Sequence, residues 1–284
     1  MKIWMHGHIT ERGEAKLSVL DHGLLYGDGV FEGIRAWNGR VFRLDDHLQR
    51  LSYGARALHL SLPMTITEFK EVVQSTVDAH GGAETYIRLL VTRGSGPLGI
   101  DTSRCTEAQV VCIADELRIF PKERKLSGID LCTASRRRPG PDVLDPRVKS
   151  LNYLNNVMAR IEANRAGADS ALMLNAQGMI AETDVANIFV VQDGILHTPP
   201  TTDGSLDGIT RRTVREIAEH LGVETRVRSL TPIDLYAAED AFLSGTGAGI
   251  VRIRSLDGQP VGRGEPTQLL ADLMEHYRQA VLSG

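Results

Sequence analysis

Asn38 and Gly39 separate two apolar runs, VFEGIRAW and RVFRL. An Asn-Gly pair in that setting is the strongest short-range signal for a tight β-hairpin, because both central residues of the favoured turn need φ > 0. The chain is thereby committed to antiparallel pairing early. Upstream, KIWMHGHIT and KLSVLD read as further short strands joined by tight turns. Downstream, Asp45 or Asp46 can cap a helix in which Leu48, Leu51, Ala55 and Leu58 recur at helical spacing. A second helix is expected from about Thr67, turning Phe69, Val72, Val73, Thr76 and Val77 to a core and ending before Gly81 and Gly82. TYIRLLVTRG and AQVVCIADEL then return as strands, completing a small α+β domain over residues 1–118.

IFPKERKLSG is polar, contains a proline and parts two apolar patterns, so 119–128 reads as an interdomain linker. A larger α+β domain, 129–284, follows. In it DLCTAS is a strand, LNYLNNVMARIEANRAG a helix that stops at Gly167, and ALMLNAQGMIAETDVANIFVVQDGILHTPP a meander turning at Asn175–Gly178 and at Asp193–Gly194. Thr210 can cap a helix with Val214, Ile217, Ala218 and Leu221 inward, DAFLSG is a strand, and a last helix starts near Pro266 and buries Leu269, Leu270, Leu273, Met274 and Tyr277. This is not a regular βαβ series, which argues against a doubly wound nucleotide fold. The glycines of YGDGVFEG and GSGPLG lack the strand, GxGxxG, helix order that would make them cofactor loops.

With 284 residues, 42% hydrophobic and 24% charged, the chain has the composition of an ordinary soluble protein, and its net charge of −4 gives no bulk pull toward nucleic acid or an anionic membrane. There is no run of about 18 apolar residues, and the Met1 end lacks the apolar stretch of a signal peptide, so a cytoplasmic location is the expectation. Cys105, Cys112 and Cys132 have no CxxC spacing and read as buried small hydrophobes rather than a metal site. Arg136, Arg137 and Arg138 make a local basic run, read as a solvated loop before Pro139.

Six lysines are present: Lys2, Lys16, Lys70, Lys122, Lys125 and Lys149. Only Lys149 falls between a turn, GPDVLDP, and an apolar-patterned helix, a junction able to carry a side chain inward. Glu182 is placed at the inward edge of a strand, where a carboxylate could face a protonated ring nitrogen. DGITRRTV leads by a glycine into a helix N-terminus, where unpaired N–H groups and the helix dipole favour an anion such as a phosphate. On the residues alone, a solvated lysine, an exposed glutamate and a plain helix cap remain the simpler readings.

Seven segments in order, DHGLLYGDGVFEGIR (21–35), VFRLDDHLQRL (41–51), YIRLLVTRG (86–94), KSLNYLNNVMAR (149–160), GMIAETDVANIF (178–189), DGITR (207–211) and FLSGT (242–246), resemble the fold-type IV pyridoxal-phosphate enzymes. Within that group they are most similar to branched-chain amino-acid aminotransferases, and they span nearly the whole chain. The resemblance implies a two-domain, D-amino-acid-aminotransferase-like α+β fold, pyridoxal 5'-phosphate as cofactor and no metal. It implies Lys149 as the Schiff-base lysine and proton shuttle, Glu182 as partner of the pyridine nitrogen and Arg50 as the phosphate-gripping arginine. Ile209, Thr210 and Thr246 match residues that close the phosphate cup, Leu206 one that packs near the ring and Tyr153 a tyrosine near the ring oxygen. Tyr26, Phe31, Tyr86 and Arg88 match the substrate pocket, whose aromatic wall would suit an aliphatic side chain and whose arginine a second carboxylate.

Two departures qualify the match. KSLNY is one residue shorter than the KxGGNY form of some branched-chain enzymes and resembles the D-amino-acid enzymes of the same fold. The loop after FLSGT, usually AAEITP, is here GAGIVR over 247–252, so that Gly247 and Ala248 would bind the substrate carboxylate on an altered backbone and Arg252 replaces a proline. The expected activity is transamination between branched-chain L-amino acids and 2-oxoglutarate by a homodimer or higher oligomer. A D-amino-acid transaminase, an (R)-selective amine transaminase, a 4-amino-4-deoxychorismate lyase and a noncatalytic binding protein are the alternatives.

Overall fold

The computed structural model describes residues 1–284 except 106, 117–118, 122 and 284, so Lys122 lies outside the described residues. The chain divides into two compact units, one comprising Met1–Leu117 with Val148–Asn152, the other Arg118–Arg147 with Tyr153–Ser283. Among the described residues no helix is long and apolar enough to cross a membrane.

The first unit contains β1 (Lys2–Met5), β2 (His8–Thr10), α1 (His22–Tyr26), β3 (Gly29–Trp37), β4 (Arg40–Val41), α2 (Leu44–Ala57), α3 (Ile66–His80), β5 (Glu84–Thr92) and β6 (Gln109–Asp115). Its antiparallel sheet runs β2-β1-β6-β5-β3-β4. The Asn38–Gly39 hairpin joins β3 to β4, with both residues at positive φ. In β5 the period of two is clean: Thr85, Ile87, Leu89 and Val91 are buried, while Tyr86, Arg88 and Leu90 alternate with them and are half-buried. The buried set packs with Leu48, Leu51, Phe69, Val73 and Val77 of α2 and α3, each such side chain contributing about 1.5–3 kcal/mol by leaving water.

KLSVLD forms no strand. Asp21 instead caps α1, accepting the Gly23 N–H at 2.7 Å, and also accepts the Thr92 hydroxyl at 2.8 Å, so the chain turns before a ladder can form. Helix α2 starts earlier than a cap at Asp45 or Asp46 would set it, from Arg43 at φ 51° without a side-chain cap. Thr65, not Thr67, begins α3 through a reciprocal capping box with Glu68.

The second unit contains α4 (Arg124–Ser127), β7 (Ile129–Thr133), α5 (Pro141–Leu144), α6 (Leu154–Ala166), β8 (Ser170–Leu174), β9 (Ile180–Thr183), β10 (Asn187–Gln192), β11 (Ile195–Thr198), α7 (Ile209–His220), β12 (Thr225–Val227), α8 (Pro232–Tyr236), β13 (Asp240–Gly245), β14 (Gly249–Leu256), β15 (Gln259–Pro260) and α9 (Gln268–Ser283). Its mixed sheet runs β12-β11-β10-β13-β14-β7-β8-β9, with β15 on β14. The β7/β8 and β7/β14 pairs are parallel. Ile188, Val190, Leu243, Val251 and Ile253 join Leu131 and Leu172 in its core, to which Phe120 also belongs. Helix α9 starts at Gln268, and it buries Leu270, Leu273, Tyr277 and Val281 rather than Leu269 and Met274. Gly208, not Thr210, is the N-cap of α7.

Candidate active site

In the first unit, the segment carrying Lys149 is hydrogen-bonded to the start of β3. The Phe31 N–H donates to the Lys149 carbonyl at 2.9 Å, the Leu151 N–H donates to the Gly29 carbonyl at 3.0 Å, and Ser150 bridges Val30. β4 covers the same edge of β3 only at its far end, around Ala36 and Trp37, so these residues complete the edge. Asn152 pins the exit of the segment, its Nδ2 donating to the Gly27 carbonyl at 2.8 Å. The lysine is thus fixed by backbone pairing, and its Nζ lies 4.6 Å from the centroid of the Phe31 ring. Arg88 meets the same ring at 4.5 Å and donates from Nη2 to the Tyr86 hydroxyl at 3.2 Å. Gly33 is required beneath this group, because a Cβ there would stand 2.3 Å from the Tyr86 hydroxyl. Tyr26, 37% exposed, accepts the Gly99 N–H at 2.7 Å.

Arg50 faces the opposite side of the sheet. Period-two alternation puts Glu32 with Val30 and Ile34 on the helix-covered face of β3, and Arg50 donates Nε and Nη2 to its two oxygens at 2.8 and 2.7 Å. His47 Nδ1 lies 2.8 Å from Glu32 Oε2. Burial pushes the Glu32 carboxyl up, but the Arg50 charge and hydrogen bonds, with His47, win and hold it at about 2. Burial lowers the His47 pKa, against the pull of Glu32, and the Arg50 and Lys149 charges lower it further. Neither Glu32 nor His47 was singled out by motif, although the alternation in VFEGIR already sets Glu32 on the core side.

The second unit gathers Glu182, Leu206, Ile209 and Thr210. Glu182 on β9 accepts from Arg138 Nη2 at Oε1, and at Oε2 from Asn187 Nδ2 at 3.1 Å and the Leu206 N–H at 3.2 Å. Asn187 also donates to the Leu206 carbonyl at 2.9 Å. Its Oδ1 would lie 2.0 Å from a Cβ at residue 208, so only glycine fits where α7 begins. The first intrahelical bond of α7 runs from the Arg212 N–H to the Gly208 carbonyl, which places the N–H groups of Ile209, Thr210 and Arg211 in the unpaired first turn, where the helix dipole favours an anion. Arg138 is buried, not solvated with its neighbours Arg136 and Arg137.

Tyr153 belongs to the second unit as the N-cap residue of α6, half-buried, one residue after the chain leaves the first unit at Asn152. Thr246, Gly247 and Ala248 form the turn between β13 and β14. Gly249 has φ +72°, which a glutamate would adopt only under strain. Arg252 does not put its charge at that turn: it is buried, and its Nε donates to Asp240 Oδ1 at 2.9 Å. Asp240 Oδ2 accepts the Thr267 N–H at 2.8 Å, tying the pair to the start of α9.

The family model Amino-transferase class IV matches residues 29–256. The chain belongs to the class IV aminotransferases. A Methanocaldococcus jannaschii protein, provisionally named as a branched-chain-amino-acid aminotransferase, is 43% identical over 278 residues, covering 98% of this chain and 96% of its own. A branched-chain amino acid aminotransferase structure from Thermobaculum terrenum, solved in its PLP-bound holo form, is 31% identical with a TM-score of 0.90 and covers 99% and 94% of the two chains. A Bacillus licheniformis D-alanine aminotransferase is 30% identical over 283 residues, covering 100% and 98%. The fold is that of the fold-type IV pyridoxal-phosphate aminotransferases.

Residues of this class IV aminotransferase fit such a cofactor. The Ser244 hydroxyl is buried and has no partner among the described residues, yet Ser244 stands opposite Asn187 in the β10/β13 ladder, beside the glycine that opens α7. An orphaned hydroxyl costs stability unless a ligand uses it. Its ladder partner Asn187 reaches both the start of α7 and the buried acid Glu182, so the hydroxyl marks a place made for a polar, anionic group.

Proposed function

We propose that the chain transfers amino groups between branched-chain L-amino acids and 2-oxoglutarate, with pyridoxal 5'-phosphate as cofactor. The observation that carries the reading is the convergence on Phe31 of the Lys149 amine at 4.6 Å and the Arg88 guanidinium at 4.5 Å. One aromatic surface thus holds a base and a fixed cation, with Tyr86 beside them. When bound, the cofactor withdraws electrons from the substrate α carbon through its protonated ring.

Lys149 carries the cofactor and moves the α proton as general base and acid. Its anchorage by backbone pairing keeps the amine in place while the proton travels. Phe31, Tyr86 and Tyr26 exclude water and favour an aliphatic side chain, and Arg88 takes the second carboxylate of 2-oxoglutarate. Glu182 pairs with the ring nitrogen, Leu206 packs near the ring and Tyr153 near its oxygen. Ile209, Thr210 and Thr246 hold the phosphate in the second unit; in the first, Arg50, kept aligned by Glu32 and His47, is assigned to the phosphate by the resemblance alone. Gly247 and Ala248 offer backbone donors to the substrate carboxylate. A homodimer belongs to this reading, and the exposed Leu24, Leu98 and Ile100 of the first unit support a second copy as cover.

D-amino-acid transamination is the second reading, favoured by KSLN and by the D-alanine aminotransferase relative. Amino transfer to 2-oxoglutarate from L-leucine, L-valine, D-alanine, D-glutamate and (R)-1-phenylethylamine decides between them, with Lys149→Ala as control. Turnover of the two L-acids, abolished in the control, is expected. Turnover of the D-acids or the amine with little from L-leucine would overturn the substrate assignment.

A further inference from the structure

Arg138 has every kind of nitrogen engaged. Nε donates to the Gly204 carbonyl at 3.2 Å, Nη1 to Asn156 Oδ1 at 2.7 Å and Nη2 to Glu182 Oε1. Asn156 is itself held, donating to the Asp184 carbonyl at 2.9 Å. The backbone is fixed as well, since the Arg138 N–H donates to the Leu174 carbonyl at 2.8 Å. Gly204 adopts φ +103°, and a Cβ there would lie 3.2 Å from Arg138 Cγ, so the loop closes tightly over the arginine stem. A guanidinium tied on all sides cannot swing to another acceptor.

We propose that Arg138 is a positioning residue for amino transfer: it holds the Glu182 carboxylate in one place and orientation, aimed so that the cofactor's pyridine nitrogen keeps its proton. A carboxylate with a charge-assisted donor at one oxygen and two neutral donors at the other is fixed in both position and rotation, and so presents the same lone pairs to a ligand. Without Arg138, Glu182 would be held at Oε2 alone, by Asn187 and the Leu206 N–H, and with its other oxygen released the carboxylate could turn away from the nitrogen. The ring would then lose the positive charge that makes it an electron sink.

The inference rests on the cofactor assignment above, and one experiment separates the two. Holoenzyme is prepared with pyridoxal phosphate labelled with nitrogen-15 in the ring, and the ring resonance is recorded at neutral pH for the unmodified chain, Arg138→Met and Arg138→Lys. A protonated ring is expected in the unmodified chain, a shift toward neutral pyridine in Arg138→Met, and a return most of the way in Arg138→Lys. An Arg138→Met resonance identical to that of the unmodified chain would overturn the inference. So would an unprotonated ring in the unmodified chain, which decides the matter even if neither variant folds. An unmodified chain that takes up no labelled cofactor overturns the cofactor reading and this inference with it.

Discussion

Each unit buries one glutamate beside one arginine, and the two pairs are built differently. Glu32 is 0% exposed and has both oxygens taken by charged or titratable side chains, Arg50 on both and His47 on one. Glu182 is 5% exposed, shares only Oε1 with Arg138, and meets neutral amide donors at Oε2. The first acid spends both oxygens on side chains of α2, tying that helix to β3 and fixing Arg50. The second has a charged donor on one oxygen only. Burial alone does not distinguish the two carboxylates, and neither does the number of donors, three on each; the kind of donor does.

Glutamine substitution separates them most sharply. Glu32→Gln should destabilise the fold by about 3–5 kcal/mol, because it leaves the buried Arg50 charge without its counter-ion. Glu182→Gln leaves Arg138 with Asn156 and the Gly204 carbonyl but likewise without its counter-ion, so its cost should fall in the same range of about 3–5 kcal/mol. Its turnover, however, should fall by roughly 10²–10³, the usual loss when a preorganised electrostatic partner is removed. Denaturant midpoints and kcat of the cofactor-loaded variants measure the two effects. An inactive but fully stable Glu32→Gln would erase the distinction.

Acid provides a milder challenge to the same contrast. Glu32 sits at about 2 in the fold against an ordinary 4.5, so its contribution is present above 4.5 and is lost as the pH falls through that value toward 2. The lowered pKa of His47 acts in the same direction, because the unfolded chain takes a proton below about 6.5 before the buried imidazole does. By pH 4 the Glu32 share of the loss amounts to about 1 kcal/mol. Unfolding midpoints between neutral pH and pH 4 should therefore fall, and Glu32→Gln should flatten the fall. An unchanged slope in that variant would locate the acid sensitivity elsewhere.

What could be read from the sequence divides along the same line. Hairpins and helices announce themselves by turn residues and by periods of 2 and 3.6, which are local; the expected meander does not form as one, because its hairpins β8/β9 and β10/β11 are parted in the sheet by β13, β14 and β7. Lys149 and Glu182 were reached through ordered motifs. Arg138 was not, because nothing in RRRPG marks the third arginine from the first two, and its partner Glu182 is 44 residues away. Glu32 was within reach, being on the Val30 and Ile34 face by simple alternation, but a charged residue in a strand is easily passed over when its arginine lies 18 residues on. KLSVLD failed for a physical reason: the Asp21 cap competes with the ladder and wins. Likewise the start of α7 was misplaced by two residues because Gly208 is set by the tertiary position of Asn187, not by a capping side chain.

A third buried pair tests how far the contrast extends, with the smallest effect. Arg252 and Asp240 are 3% and 0% exposed, and Asp240 spends its other oxygen on Thr267 at the head of α9. Asp240 accepts four donors and has no lone pair left for a ligand, so the pair is closed and Arg252 should have no part in substrate choice although it ends the altered 247–252 loop. Arg252→Lys keeps the charge and loses the planar fork, at a cost of about 1 kcal/mol. The unfolding midpoint should drop slightly while the ranking of L-leucine, L-valine and D-alanine as donors stays as it is. A changed ranking at unchanged stability would place Arg252 with Glu182 among the working residues, and the loop would then owe its specificity to that charge rather than to Gly247.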